Sequence, residues 1–120
     1  AALAAGRSGG TTVVIDARSE AMYFSKRVIP FVPESEIGEQ PPVLMHLGLY
    51  AYRRDALERY AAARPAPLER LEGLEQLRFL HEGVPVAVVQ HDPPEWDAIE
   101  LNNPSDLAVI EAILARQDMA

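Results

Sequence analysis

Three side chains in one short stretch, His46, Tyr50 and Arg53, offer an imidazole, a phenol and a guanidinium. All three groups can hydrogen-bond a polyhydroxylated or anionic small molecule. Leu47 and Leu49 alternate with polar neighbours, which is the period of a strand that buries one face and exposes the other. The pattern therefore predicts a strand from His46 to Arg53 whose polar face forms one wall of a pocket.

A second set of polar groups lies on a predicted helix from Pro67 to about His81. Its leucines recur at every third residue, which predicts an amphipathic helix with one face packed inward. Glu75 and Gln76 are adjacent on it. They are either a solvated surface pair or a carboxylate beside an amide, which accept and donate hydrogen bonds at a fixed spacing. The leucines are Leu68, Leu71, Leu74 and Leu77, and they are flanked by Glu69, Glu72 and Glu75.

The elements before this region are read from β-branched runs and turn residues. The small, Gly-rich segment 1–10 predicts a flexible terminus with a loop around Ser8–Gly10. Thr11–Ile15 and Ala21–Ser25 predict two strands of a hairpin. Pro30–Pro42 holds several prolines and glutamates, so we expect a surface loop there.

The elements after His46 alternate between helix and strand. Asp55 is placed to cap a short helix, and Val84–Gln90 is a nearly continuous apolar run that predicts a strand covered on both faces. Asn103 as the cap and Pro104 as the first residue predict a final helix. This order favours an α/β layered domain.

Composition narrows the classes of partner. The 120 residues suffice for one domain, and a net charge of −7 argues against nucleic acid or an anionic membrane as the main partner. The chain has no cysteine, which excludes disulfides and thiolate metal sites. No apolar run reaches the length of a membrane span, and no signal segment is visible. We therefore expect a cytoplasmic protein that binds small molecules or other proteins.

Two patterned strings carry a more specific signal. The string from His46 to Arg53, HLGLYAYR, and the string from Pro67 to Arg78, PLERLEGLEQLR, resemble the C-terminal half of the sugar-acid cytidylyltransferases, in particular those for 3-deoxy-manno-octulosonate (Kdo). Ala21–Pro30 and Val84–Gln90 follow the same half in order. The resemblance implies a nucleotidyltransferase-like, Rossmann-like layered domain, with a mixed sheet and flanking helices, in which residues 11–120 bind the sugar acid and form a homodimer contact near Phe31.

The resemblance also implies roles for single residues. His46 and Tyr50 would lie in the sugar-acid pocket, although His46 read alone could equally be a half-buried histidine satisfied by backbone groups. Glu75 and Gln76 would bind sugar hydroxyls. Lys26 lies where the family has an arginine that meets the substrate carboxylate, and Arg27 is the alternative. Lysine keeps the charge but lacks the bidentate fork.

The metal site departs from the family pattern. The family holds Mg²⁺ with two carboxylates, one of them in an N-terminal half that is absent from this sequence. The other is an aspartate that Asn102 replaces here, so Asn102 or Glu100 is the candidate ligand. Asn102 and Asn103 could instead simply cap the last helix.

The resemblance therefore implies half of an enzyme that transfers CMP from CTP to the anomeric hydroxyl of a sugar acid such as Kdo, for lipopolysaccharide or capsule synthesis. The nucleotide-binding half would be supplied in cis or in trans. Two alternatives stay open: a non-catalytic binding or assembly module derived from this family, and a cytidylyltransferase for a different acid acceptor.

Overall fold

The computed structural model describes residues 7–38, 42–92 and 104–117. It divides into two compact units, residues 1–89 and 90–120. None of the helices in the described ranges is long and apolar enough to cross a membrane. In chain order the elements are β1 (Arg7–Ile15), β2 (Ala21–Arg27), a 3₁₀ turn (Glu34–Glu36), β3 (Leu44–Met45), α1 (Arg54–Ala62), α2 (Pro67–Glu72), α3 (Leu77–His81) and α4 (Asp106–Gln117).

The predicted hairpin is confirmed. β1 pairs antiparallel with β2, with Val13 opposite Phe24. The turn between them is closed by Asp16, whose carboxylate accepts hydrogen bonds from the backbone N–H groups of Arg18 and Glu20. The loop predicted around Ser8–Gly10 is wrong, because these residues lie within β1, although the pairing with β2 shifts in register between Arg7 and Thr12.

The first unit contains one three-stranded sheet, as far as the described residues show. Its strand order is β2–β1–β3, and both strand pairs are antiparallel. The buried core joins this sheet to the segment around α3, and it consists of Val13, Ala21, Phe24, Leu74 and Leu77. The predicted α/β class is thus confirmed.

The predicted helix from Pro67 to His81 is interrupted. α2 ends at Glu72, Gly73 takes the left-handed conformation with φ of 63°, and α3 begins only at Leu77. The break rotates the two halves of the leucine row. Leu74 and Leu77 are therefore buried, whereas Leu68 and Leu71 are exposed.

Two predicted strands are also wrong. The short strand β3 ends at Met45, and the chain from His46 to Arg53 runs as irregular backbone. Val84–Gln90 forms no strand; it makes a single bridge between Glu20 and Ala87. In the second stretch Val84, Val86 and Val88 pack inward from irregular chain, whereas in the first Leu47 and Leu49 are exposed. Period-two patterning alone does not distinguish either case from a strand.

The observed starts of α1 and α4 differ from the predicted ones by a few residues. α1 begins at Arg54, so Asp55 lies within its first turn, and its cap residue Arg53 makes no side-chain cap bond. α4 begins at Asp106, after a turn in which Leu107 N–H bonds the carbonyl of Pro104. The cap predicted at Asn103 lies outside the described residues.

We expect Gly73→Ala to lower the free energy of unfolding by about 1–2 kcal/mol, because a Cβ is disfavoured at this positive φ. In its ideal position, the added Cβ would also lie only 2.9 Å from Lys26 Nζ. Gly38→Ala is the matched control, since no atom lies within 4 Å of its Cβ position. If denaturant unfolding shows equal stability for both variants, the left-handed helix end assigned to Gly73 is contradicted.

Candidate functional site

A single concave site collects several of the predicted residues. It is a partly open cavity of about 210 Å³ in the first unit. Its polar lining comes from Tyr50, Glu75 and Gln76, and the rest of its lining comes from Tyr52, α1 and α3. The full set of lining residues is Tyr50, Tyr52, Leu57, Tyr60, Glu75, Gln76 and Phe79.

The apolar wall is a column of aromatic rings. Tyr52 stacks on Tyr50 on one side and on Phe79 on the other, at centroid distances of 5.6 Å in both cases. Phe79 in turn contacts Tyr60 at 4.7 Å. The rings in the middle of the column, Tyr52 and Phe79, therefore each contact two other rings.

His46 supports one end of this column. Its ring packs edge-on against the buried Phe24, with centroids 5.6 Å apart, and its Nε2 shares a 2.6 Å hydrogen bond with the Tyr50 hydroxyl. Burial, with a smaller contribution from neighbouring Tyr52, raises the pKa of Tyr50 to about 12. Tyr50 therefore keeps its proton at neutral pH. The His46–Tyr50 contact ties the cavity to the hydrophobic core.

Arg78 supports the other end. Its guanidinium lies 4.1 Å from the centre of the Tyr60 ring, a cation–π geometry. Its Nε and Nη2 donate to the two carboxylate oxygens of Glu69 at 2.9 and 2.5 Å. Glu69 also accepts the backbone N–H of Ala66 at 2.8 Å, so it caps the start of α2. The hydrogen bond from Arg78 is the main reason that the pKa of Glu69 is lowered.

Glu72 joins the helices to the sheet near Lys26. Its carboxylate accepts hydrogen bonds from the Ser25 hydroxyl, the Tyr23 hydroxyl and the Lys26 backbone N–H. Burial raises the pKa of Glu72, but these hydrogen bonds outweigh it and the net pKa is lowered. The Lys26 ammonium lies over Gly73, at the start of the segment that carries Glu75 and Gln76.

The structure thus brings most of the predicted site residues into one region. Tyr50, Glu75 and Gln76 line the cavity, and His46 bonds Tyr50 directly. Lys26, Arg27 and Arg53 are exposed and do not line it.

Glu69, Glu72 and Arg78 escaped the sequence analysis. Glu69 and Glu72 looked like the solvated flank of a continuous helix, yet Glu69 is 8% exposed. The available signal was an arginine nine residues after Glu69. In a continuous helix the two side chains would lie far apart, and it is the break at Gly73 that brings them together. Recognising Gly73 as a helix end would have revealed the Glu69–Arg78 pair.

The predicted metal ligands Glu100 and Asn102 lie outside the described residues. Within residues 7–38, 42–92 and 104–117 no group of three or more His, Asp or Glu side chains is placed to hold a metal ion. The Glu100 and Asn102 assignment therefore stays a prediction.

Comparison with known proteins now identifies the family. The family model for cytidylyltransferases matches residues 5–90. The chain belongs to the cytidylyltransferase family. That range contains the cavity, the aromatic column and both glutamates that support them.

Individual relatives support the same family assignment for this cytidylyltransferase chain. It is 45% identical over 112 residues to the 3-deoxy-manno-octulosonate cytidylyltransferase of Maricaulis maris, covering 93% of this chain and 42% of that protein. The protein of the same name from Dichelobacter nodosus is 43% identical over 107 residues, covering 88% of this chain and 42% of that protein. A solved CMP:2-keto-3-deoxy-manno-octonic acid synthetase complexed with CTP superposes with a TM-score of 0.71 at 31% identity, covering 98% of this chain and 46% of that one.

The chain spans less than half the length of these relatives, and it matches their C-terminal part. The family assignment and the nucleotidyltransferase-like fold that the sequence analysis predicted are both confirmed.

The Glu69 carboxylate makes stability pH-dependent. Because its folded pKa lies below the ordinary value of 4.5, its contribution is present above that value and is lost as the pH falls through the lower folded pKa. We expect Glu69→Gln to cost about 3 kcal/mol near neutral pH and to flatten the decline in stability as the pH falls below about 4.5, as measured by urea unfolding.

Glu58→Gln is the control, because it removes an exposed ion pair with Arg54 within α1. We expect that change to cost less than about 0.5 kcal/mol. An equal cost for both substitutions, or an unchanged pH profile in Glu69→Gln, would contradict the role assigned to Glu69.

Proposed function

We propose that this chain is the acceptor-binding part of a CTP:Kdo cytidylyltransferase. In the reaction, the anomeric hydroxyl oxygen of the sugar acid attacks the α-phosphorus of CTP. The new P–O bond forms as the bond to the β-phosphate oxygen breaks, so pyrophosphate leaves and the hydroxyl proton passes to solvent. The nucleotide-binding part, in cis or in trans, supplies CTP, and the cavity described above holds the sugar acid.

The observation that carries this proposal is the polar edge of the cavity. Tyr50 offers a hydroxyl, Glu75 a carboxylate and Gln76 an amide around one space of about 210 Å³. Together they accept and donate hydrogen bonds from fixed positions, which matches a ligand covered in hydroxyl groups. An apolar ligand would offer Glu75 and Gln76 no hydrogen-bond partner, at a cost for each polar group that it buries.

Ring packing favours a sugar over a nucleobase in this cavity. The volume lies below the range of about 300–1,000 Å³ typical of pockets that enclose drug-sized ligands, so it suits one sugar-sized group. Proteins that bind bases commonly stack them on an aromatic face. Tyr52 and Phe79 already each contact two other rings. The wall therefore offers a base little surface on which to stack.

Lys26 is the cation that we assign to the substrate carboxylate. Its ammonium lies over Gly73, three residues before Gln76 in the chain, and its backbone N–H is held by Glu72. The missing side chain of Gly73 leaves room for this approach. Lys26 and Arg27, the alternative, are both exposed at the end of β2, so it is the approach of Lys26 to Gly73 that favours Lys26.

Magnesium and a second copy of the chain complete the proposal. Glu100 or Asn102 would hold the metal together with a carboxylate of the nucleotide-binding part, and bound magnesium would neutralise triphosphate charge. Phe31 is 88% exposed, which supports a homodimer contact at that position. Neither assignment is needed for binding of the sugar acid in the cavity.

The test joins this chain to the N-terminal part of the Maricaulis maris relative and measures pyrophosphate release with CTP and Kdo. We expect Glu75→Ala and Gln76→Ala to raise the KM for Kdo about tenfold or more, because each removes hydrogen bonds to the sugar. The KM for CTP should stay within about twofold. Glu58→Ala, which removes an exposed carboxylate from α1, should leave both values unchanged.

Absence of CTP-dependent pyrophosphate release with Kdo or any other sugar acid would reject the proposal and favour a non-catalytic binding or assembly module. Release with another sugar acid but not with Kdo would keep the enzyme class and correct the acceptor.

A further inference from the structure

We propose that Glu69 and Arg78 form a positioning pair for the acceptor cavity, an inference that rests on the function proposed above. Neither residue lines the cavity. Each acts through other side chains, Arg78 through the aromatic wall and Glu69 through the segment that carries Glu75 and Gln76.

Arg78 acts on two sides of the cavity at once. Its guanidinium lies on the Tyr60 ring of α1, and the next residue in the chain is the buried Phe79 of the ring column. Its backbone N–H donates to the carbonyl of Glu75 at 3.1 Å. A shift of Arg78 would therefore displace both the aromatic wall and the polar edge.

Glu69 fixes Arg78 to the start and the end of α2. Its side chain accepts the N–H of Ala66 at the beginning of that helix. Its backbone carbonyl accepts the N–H groups of Gly73 and Leu74 beyond the end of the helix. One residue thus holds the guanidinium, the helix start and the turn that leads to Glu75.

The chemistry of the pair favours orientation over stability as its role. A buried ion pair often stabilises a fold no better than apolar side chains of similar volume. A guanidinium held at two carboxylate oxygens, however, is fixed in plane and in direction. Side-chain exposures of 15% for Arg78 and 10% for Glu69 keep water from competing for these hydrogen bonds.

The test uses the joined enzyme with Arg78→Met, Arg78→Lys and the control Arg54→Met, at a temperature well below each variant's unfolding transition. We expect Arg78→Met to raise the KM for the sugar acid about tenfold while the KM for CTP stays within about twofold. Arg78→Lys should recover part of this loss, since lysine restores the charge without the fork. Arg54→Met should match the wild type, because Arg54 makes only an exposed pair with Glu58.

A fall in unfolding temperature with both KM values unchanged would show a purely structural role and overturn the proposal. An equal rise in both KM values would also overturn it. If Arg78→Met does not fold, the ratio of the two KM values in Arg78→Lys decides by the same criterion. An inactive wild-type enzyme would instead reject the proposed function, and the positioning role with it.

Discussion

The architecture of the site depends on one carboxylate, that of Glu69. It is nearly buried, and it is stabilised in its charged form by the guanidinium of Arg78 and by the backbone N–H of Ala66. A buried carboxylate without such partners would be strongly destabilising. Because the partners come from α3 and from the start of α2, satisfying this one group fixes the relative placement of the two short helices.

The aromatic column follows from that placement. With Arg78 held over Tyr60, α1 and α3 are joined through Tyr60 and Phe79, and Arg59 adds a hydrogen bond from α1 to the carbonyl of Glu82 at the end of α3. The column then continues through the irregular stretch before α1, whose far end is anchored where His46 meets Phe24. Side-chain packing thus gives this stretch a defined course without strand pairing, and it presents the Tyr50 hydroxyl beside Glu75 and Gln76.

The sequence predicted well what depends on local pattern. The β-branched runs gave the hairpin of β1 and β2, and long family strings placed Tyr50, Glu75 and Gln76 in one site. It failed where tertiary contacts override the pattern. Alternating Leu47 and Leu49 suggested a strand, yet the structure leaves both exposed in irregular chain. The leucine row suggested one helix, yet Gly73 ends it, and only that break brings Arg78 back to Glu69.

The central claim is that the cavity between Tyr50 and Glu75 binds a sugar acid, and calorimetric titration of this chain with Kdo tests it most directly. Circular dichroism beforehand would show that the chain and its Gln76→Ala variant are folded. The account predicts saturable binding of one Kdo per chain that Gln76→Ala weakens about tenfold or more, with no comparable heat from cytidine. Absence of Kdo binding by the folded chain, or binding that Gln76→Ala leaves unchanged, would contradict it.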